Sequence, residues 1–246
     1  MPDPVAHHHY PRPPITEAVL EVRVEGKLSA RDMERCVERF RRQYKNVENI
    51  TEFEINFEDG KPISRPKSSG FKLTSENAVD LLLLNPSAVA SIRLAPYSRW
   101  EDLLESAKSN FDTFTKLLGR QVVSRIGARF VNRIDVPSKL MVGRSWNDFF
   151  RLGANVPGEV ARAYGSYYVN LGARSEEGVM IVINTGVIGG NVLLDHTSVL
   201  LDIDVALEGD IPQRIDDMWA RAEVLRKVKN RIFESSITDR CRELFR

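Results

Sequence analysis

The sequence predicts an α+β protein, with antiparallel sheets and helices packed on one face, and three observations lead there. Segments that alternate apolar and polar residues with a period of two recur along the chain. Several stand too close together for parallel pairing, which needs a crossover of about a dozen residues or more. Long amphipathic stretches with helical spacing follow each run of strands. The elements read as two similar β-α-β(n)-α halves, 15–119 and 120–246, behind an irregular lead-in over 1–14. No linker-like stretch separates the halves, so they are expected to be fused as one unit.

The first half opens over 16–25, where Ala18, Leu20, Val22 and Val24 alternate with Glu17, Glu21, Arg23 and Glu25. That is the pattern of a half-buried strand. Gly26 ends it, and Ser29 caps a helix expected to run to about Lys45, with Met33, Cys36, Val37, Phe40 and Tyr44 on one face. Phe53, Ile55 and Phe57 mark a second strand, Asp59-Gly60 a turn, and 61–70 a polar loop. Strands are expected at 70–75, 79–84 and 89–94. From 99 to 118, Trp100, Leu103, Leu104, Ala107, Phe111, Phe114, Leu117 and Leu118 trace a helical stripe closed by Gly119.

The second half begins with a strong strand over 122–136, stopped by Pro137. A short helix capped by Ser145 is expected to reach Leu152, and strands follow at 160–171, 179–185 and 198–205. Asp210-Ile211-Pro212 reads as a helix start, with the helix continuing to about Phe233. A last short helix over 238–245 carries Cys241.

Composition narrows the function. With 246 residues, 42% hydrophobic and 28% charged, the chain can bury a substantial core. Lys and Arg number 35 against 34 Asp and Glu, so a net charge of +1 gives no global field toward nucleic acid or an anionic membrane; nucleic acid stays possible only through local patches. No stretch has the ~18 apolar residues of a spanning helix, and no membrane partner is expected. The N-terminus lacks the apolar core of a secretory signal. Cys36 and Cys241 stand far apart in sequence. They fit packing positions in a reducing cytoplasm better than a disulfide scaffold. His7-His8-His9 could hold a metal weakly, but on a proline-rich lead-in it reads as a solvated tail.

The candidate binding residues lie on two strands. Arg125, Arg129, Arg133 and Asp135 share one face of the 122–136 strand, and the three arginines run along roughly 27 Å of it. Exposed in a concave face, they could grip phosphates bidentately; on a flat face, they would form a salt-bridge ladder with Glu17, Glu21, Glu25, Asp202 and Asp204. Asn132 falls on the apolar face and must be either a hydrogen-bond hub or a site residue. Asp202 and Asp204 put two carboxylates about 7 Å apart on one strand face, a spacing able to hold Mg²⁺ or divide acid and base roles. Asp195-His196 precedes that strand. The glycine-rich 186–191 segment lacks the Lys and Ser/Thr of a P-loop and reads as a hairpin or flap. Tyr164, Tyr167 and Tyr168 split across both faces of their strand, and Tyr164 and Tyr168, on the face of Arg162, could stack bases on a sheet. No HExxH, paired CxxC, GxSxG or kinase signature occurs, so enzymatic activity is left open with the pattern leaning against it. No cofactor or metal site is expected.

Pro13-Pro14-Ile15, Glu17, Val19-Leu20-Glu21 and Arg23 resemble the opening Pro-Pro-Ile-x-Glu-x-Val-x-Glu-x-Arg strand of a sporadically distributed, uncharacterised bacterial family of about 250 residues. Tyr97-Ser98-Arg99-Trp100-Glu101, Arg129-Phe130-Val131-Asn132-Arg133-Ile134-Asp135 and Phe233-Glu234-Ser235-Ser236-Ile237-Thr238 are also similar to it. The resemblance brings no activity, cofactor or catalytic residue with it. Sporadic distribution implies accessory genes, such as mobile-element or defence loci. The sequence therefore predicts a non-enzymatic, cytoplasmic interaction protein of such a locus, recognising a protein partner or a second copy of itself. The alternative is a nucleotide- or nucleic-acid-binding or hydrolysing domain, with Arg129, Arg133, Asp202 and Asp204 lining its pocket.

Overall fold

The computed structural model describes residues 10–58, 61–154, 166–188, 193 and 195–246. Strand β1 (Ile15–Val24) buries Ala18, Leu20, Val22 and Val24 on one face, as its alternation demands. Helix α1 (Ala30–Phe40) begins where the Ser29 hydroxyl accepts the Asp32 N–H, and it buries Met33, Cys36, Val37 and Phe40. Strands β2 (Asn46–Glu58) and β3 (Lys61–Thr74) form a long antiparallel ribbon, in register from Asn46↔Thr74 to Glu58↔Lys61 with an irregularity between Glu52 and Phe53.

The expected polar loop over 61–70 is thus a strand. The ladder is made of backbone groups, which polar side chains do not oppose. Pro62 and Pro66 lie outside the stretch Phe71–Thr74 that also pairs with β4. Proline is tolerated where a strand has one neighbour or an irregular register. The expected turn at Asp59-Gly60 lies outside the described residues.

Strands β4 (Asp80–Asn85) and β5 (Ala88–Leu94) form a tight hairpin, and helix α2 (Trp100–Leu118) ends at Gly119, whose φ of 80° favours glycine. Strand β6 (Val123–Pro137) leads into a short, unanticipated helix α3 (Ser138–Met141). The helix expected from Ser145 to Leu152 is only a 3₁₀ turn, Trp146–Asp148, with Ser145 and Asp148 capping each other. The chain leaves that turn because Phe150 bridges to Ile237. Strands β7 (Tyr168–Arg174), β8 (Met180–Val187) and β9 (His196–Glu208) form an antiparallel meander. Of the strand expected over 160–171, residues 168–171 are the start of β7, and 160–165 lie outside the described residues. Helix α4 (Ile215–Ser236) starts later than Asp210-Ile211-Pro212 suggested, because the Gln213 amide first bonds the Val123 backbone and the Ile211 carbonyl. Thr238 caps α5 (Asp239–Arg242).

Among the described residues the strands make one nine-stranded antiparallel sheet, ordered β2-β3-β4-β5-β1-β6-β9-β8-β7. The chain forms two compact units that do not follow its halves: one holds Ala128–Leu207 and Trp219–Arg246 with the chain through Glu17, the other Ala18–Gly127 and Glu208–Met218. In the second, Leu20, Cys36, Phe40, Leu82, Leu103 and Phe114 are buried around a polar node, where the Asn110 amide donates to Tyr44 Oη and Ser91 Oγ, each at 2.8 Å. In the first, Phe130, Ile134, Phe149, Leu201, Ala222 and Leu225 form the core. The lead-in is tied down from Tyr10: its hydroxyl donates to Glu234 at 2.9 Å, and its ring packs edge-on to Phe245.

Candidate functional site

Strand β6 alternates as expected: Ile126, Ala128, Phe130, Asn132, Ile134 and Val136 are buried, and the arginines occupy the opposite face. Each arginine has a carboxylate. Arg125 Nη1 lies 2.5 Å from Glu21 Oε1 and its Nε 3.0 Å from Glu208 Oε1, with only 13% of the side chain exposed. The guanidinium folds back over Gly127, where a Cβ would stand 2.5 Å from Nη1. Glycine at 127 is what lets the arginine lie flat.

Arg129 grips Asp202 with a two-pronged contact, Nε to Oδ1 and Nη2 to Oδ2, both 2.9 Å. Those bonds hold the guanidinium above its usual range against partial desolvation, with Glu17 and Asp204 adding to the field. Asp202 is buried, while Arg129 keeps about half of its side chain in solvent. Arg133 Nε donates to Asp135 on its own strand at 2.9 Å, and Asp135 also accepts from Ser198 Oγ. The Asn132 amide donates to Phe130 O at 3.2 Å and Leu201 O at 2.9 Å, which makes it a hydrogen-bond hub joining β6 to β9.

Beyond Asp202 the polar row continues across the meander. Asn184 Nδ2 donates to Asp202 Oδ2 at 3.2 Å, and Asn184 Oδ1 accepts from Tyr168 Oη at 2.8 Å and Asn170 Nδ2 at 2.6 Å. One connected network therefore crosses β6, β9, β8 and β7 and ends on Tyr168, which is 68% exposed. Gly186 lets β7 approach: a Cβ there would meet Tyr167 O at 2.5 Å.

Chemically this arrangement is a rigid, charge-matched surface. Arg129 and Asp202 satisfy each other, so gripping a phosphate with Arg129 would require breaking a two-bond ion pair. Among the described residues no group of three His, Cys, Asp or Glu side chains is placed to hold a metal ion. Asp204 lies two residues along β9 from Asp202 and acts on Arg129 through its field. Asp195 sits at a φ of 60° just before His196, the first residue of β9. Tyr164, Arg162, His7–His9 and much of the glycine-rich segment lie outside the described residues. Tyr167 turns to Trp146, with ring centroids 6.4 Å apart. Cys36 and Cys241 are buried and unbridged, and burial pushes their thiols up to about 11 and about 12, which suits packing and not nucleophilic attack.

The sequence reading missed Lys229. On α4 it is 9% exposed, and its Nζ sits 3.8 Å above the Phe130 ring centroid. Burial drives its ammonium down to about 7; Arg226 adds to the effect and Glu234 opposes it. A signal was present, since 229 stands four positions after Leu225 and seven after Ala222, on the helix's apolar stripe. The surrounding charged run, Arg226-Lys227-Val228-Lys229, concealed it. Near it, Arg242 clamps Glu234 through Nε–Oε2 at 2.9 Å and Nη2 to the backbone carbonyl at 2.7 Å.

No protein-family model and no curated protein matches this chain.

Proposed function

We propose that this chain is a non-enzymatic interaction protein that recognises a protein partner with the polar face of β6, β9, β8 and β7. The observation that supports this reading is the connected row Arg129–Asp202–Asn184–Tyr168. It presents a half-exposed arginine, an exposed tyrosine and amides already fixed in place, and pre-set Tyr and Arg side chains are the groups that anchor protein interfaces at low entropic cost. Val182, 37% exposed, adds apolar area to the same meander. The Pro13–Arg23 motif supports placement in an accessory, defence-type bacterial locus, and two buried free thiols fit a reducing cytoplasm. The strand order supports a pair of similar halves: each half sets its first strand beside its last, β1 next to β5 and β6 next to β9.

The test is native copurification of the tagged protein beside a Tyr168→Glu/Asn170→Arg variant, with the mass of each complex measured by light scattering. A stoichiometric partner, or a second copy, bound by the wild type and lost in the folded variant is expected. Equal recovery of both as bare monomers overturns the reading. The nucleotide alternative has its own readout, a thermal shift with nucleotides and Mg²⁺. Stabilisation abolished by Arg129→Ala would put a ligand site where this reading has an interface.

A further inference from the structure

The outer face of α1 is unlike the sheet. Arg35, Arg39, Arg41, Arg42 and Lys45 line a groove of about 580 Å³ against Leu117 at the end of α2, and the groove contains one carboxylate, Glu38. Helical spacing explains the gathering. Positions 35 and 39 are four residues apart, so they share a face opposite the buried Met33, Cys36, Val37 and Phe40, and Arg41, Arg42 and Lys45 follow after the helix. Two of the cations have local partners: Arg35 lies 3.2 Å from Asp32, and Arg41 lies 3.5 Å from Glu38, an exposed residue. Among the described residues Lys45 Nζ reaches only a backbone carbonyl, that of Arg42, at 3.4 Å. Arg39 and Arg42 are exposed and have no carboxylate partner among the described residues. A cation or two near a helix C-terminus complements its dipole. Five cations beside two carboxylates, Asp32 and Glu38, exceed that need.

We propose that this groove docks the phosphate backbone of a nucleic-acid duplex, independently of the sheet face. Four of the five cations are arginines, whose planar fork matches phosphate oxygens two at a time. From Arg35 to Phe40, where α1 ends, the helix rises ~7.5 Å, a length over which a duplex presents several phosphates at one charge per ~1.7 Å of axis, and Arg41, Arg42 and Lys45 follow just past that end. Among the described residues the groove has no aromatic side chain to stack a base and no amide to read a base edge. Recognition is therefore of the backbone and is independent of base sequence. The balanced total charge does not oppose this, because Asp32 and Glu38 offset only two of the five cations here and attraction beyond ~10 Å is screened.

The experiment is fluorescence anisotropy of the full chain with a labelled 20-base-pair DNA duplex of arbitrary sequence, between 50 and 200 mM salt. Three to five phosphate contacts give a fall of about 40- to 500-fold in affinity over that range. Arg39→Glu/Arg42→Glu, checked for folding by circular dichroism, is expected to weaken binding at least about tenfold and to reduce the salt slope by about two. Arg129→Ala is expected to bind as the wild type does, which separates the groove from the sheet face. Absence of duplex binding at 50 mM salt, or binding unaffected by the double reversal, overturns the proposal. Equal or tighter binding of polyglutamate of matched charge overturns it too, in favour of an acidic protein partner.

Discussion

On β6, Arg125, Arg129 and Arg133 all lie within hydrogen-bond distance of a carboxylate, whereas Arg39 on α1 and Arg42 just past its end stand in water with no carboxylate partner among the described residues. The difference follows from solvent access. Arg125 is 13% exposed and Asp202 is buried, and an unmatched charge in either place would lose its hydration with nothing to replace it. The α1 arginines keep their water, so the fold gains little from pairing them and loses little by leaving them unpaired. Matched charge therefore maintains the sheet, and unmatched charge is available to something outside the chain. Lys229 tests the rule from a third side, being buried and without a carboxylate partner among the described residues. It meets the constraint by giving up its proton readily.

That exception predicts the largest effect. The folded-state pKa of Lys229 is lowered to about 7 from 10.5, so between those values the unfolded chain binds more protons and stability rises with pH. The buried thiols work in the opposite direction above about pH 9, which makes pH 7 to 9 the informative window. Wild type should gain about 2 kcal/mol across it. Lys229→Met should be more stable than wild type by several kcal/mol at pH 6.5, where burying the charged form is most costly, and its own profile should be flatter from 7 to 9. Urea titrations at three pH values measure both; a less stable Lys229→Met at pH 6.5 would contradict the account.

Breaking the matched region comes next. Asp202→Ala removes both bonds to Arg129 and the acceptor for Asn184, and should cost roughly 2–3 kcal/mol, a value kept modest because Arg129 can turn to water. Gly127→Ala should cost about 1 kcal/mol by displacing the Arg125 guanidinium, and much less in an Arg125→Ala background. Additive losses in that double-mutant cycle would show that the crowding lies elsewhere. The smallest effect belongs to the unmatched region: Arg39→Glu/Arg42→Glu should change stability by less than about 0.5 kcal/mol, whatever it does to binding. A loss comparable to that of Asp202→Ala would mean the two regions are not used differently.

Where side-chain period coincides with burial, the structure was legible in the sequence. β1, α2 and β6 lie where their apolar residues put them, within a residue or so at the ends, and the carboxylates of β1 and β9 do meet β6 arginines. α1 starts as expected but stops at Phe40 instead of about Lys45, leaving Tyr44 buried beyond its end. Partner choice was less legible, because it depends on reach as well as on face. Arg133 takes Asp135 two residues along its own strand, and Arg125 adds Glu208 from just past the expected end of β9. β3 was hidden because its pairing is a property of the backbone, whereas its composition is that of a loop. The α1 arginines were visible in sequence, but a helix pattern read for its buried face says nothing about what the outer face gathers.

Strand order has a consequence for synthesis. β1 sits between β5 and β6, and β6 begins roughly a hundred residues after β1 ends. At ~5–20 residues per second, β1 leaves the ribosome about 5–20 s before the strand that completes its hydrogen bonding. During that interval the nascent chain carries an open strand edge, the kind of surface on which unfinished chains aggregate. Glu17, Glu21, Arg23 and Glu25, spaced along that strand and just past its end, are the sort of charged residues that keep such an edge from pairing with a neighbouring nascent chain. Glu21, which later meets Arg125, would thus first serve as a guard of an incomplete sheet.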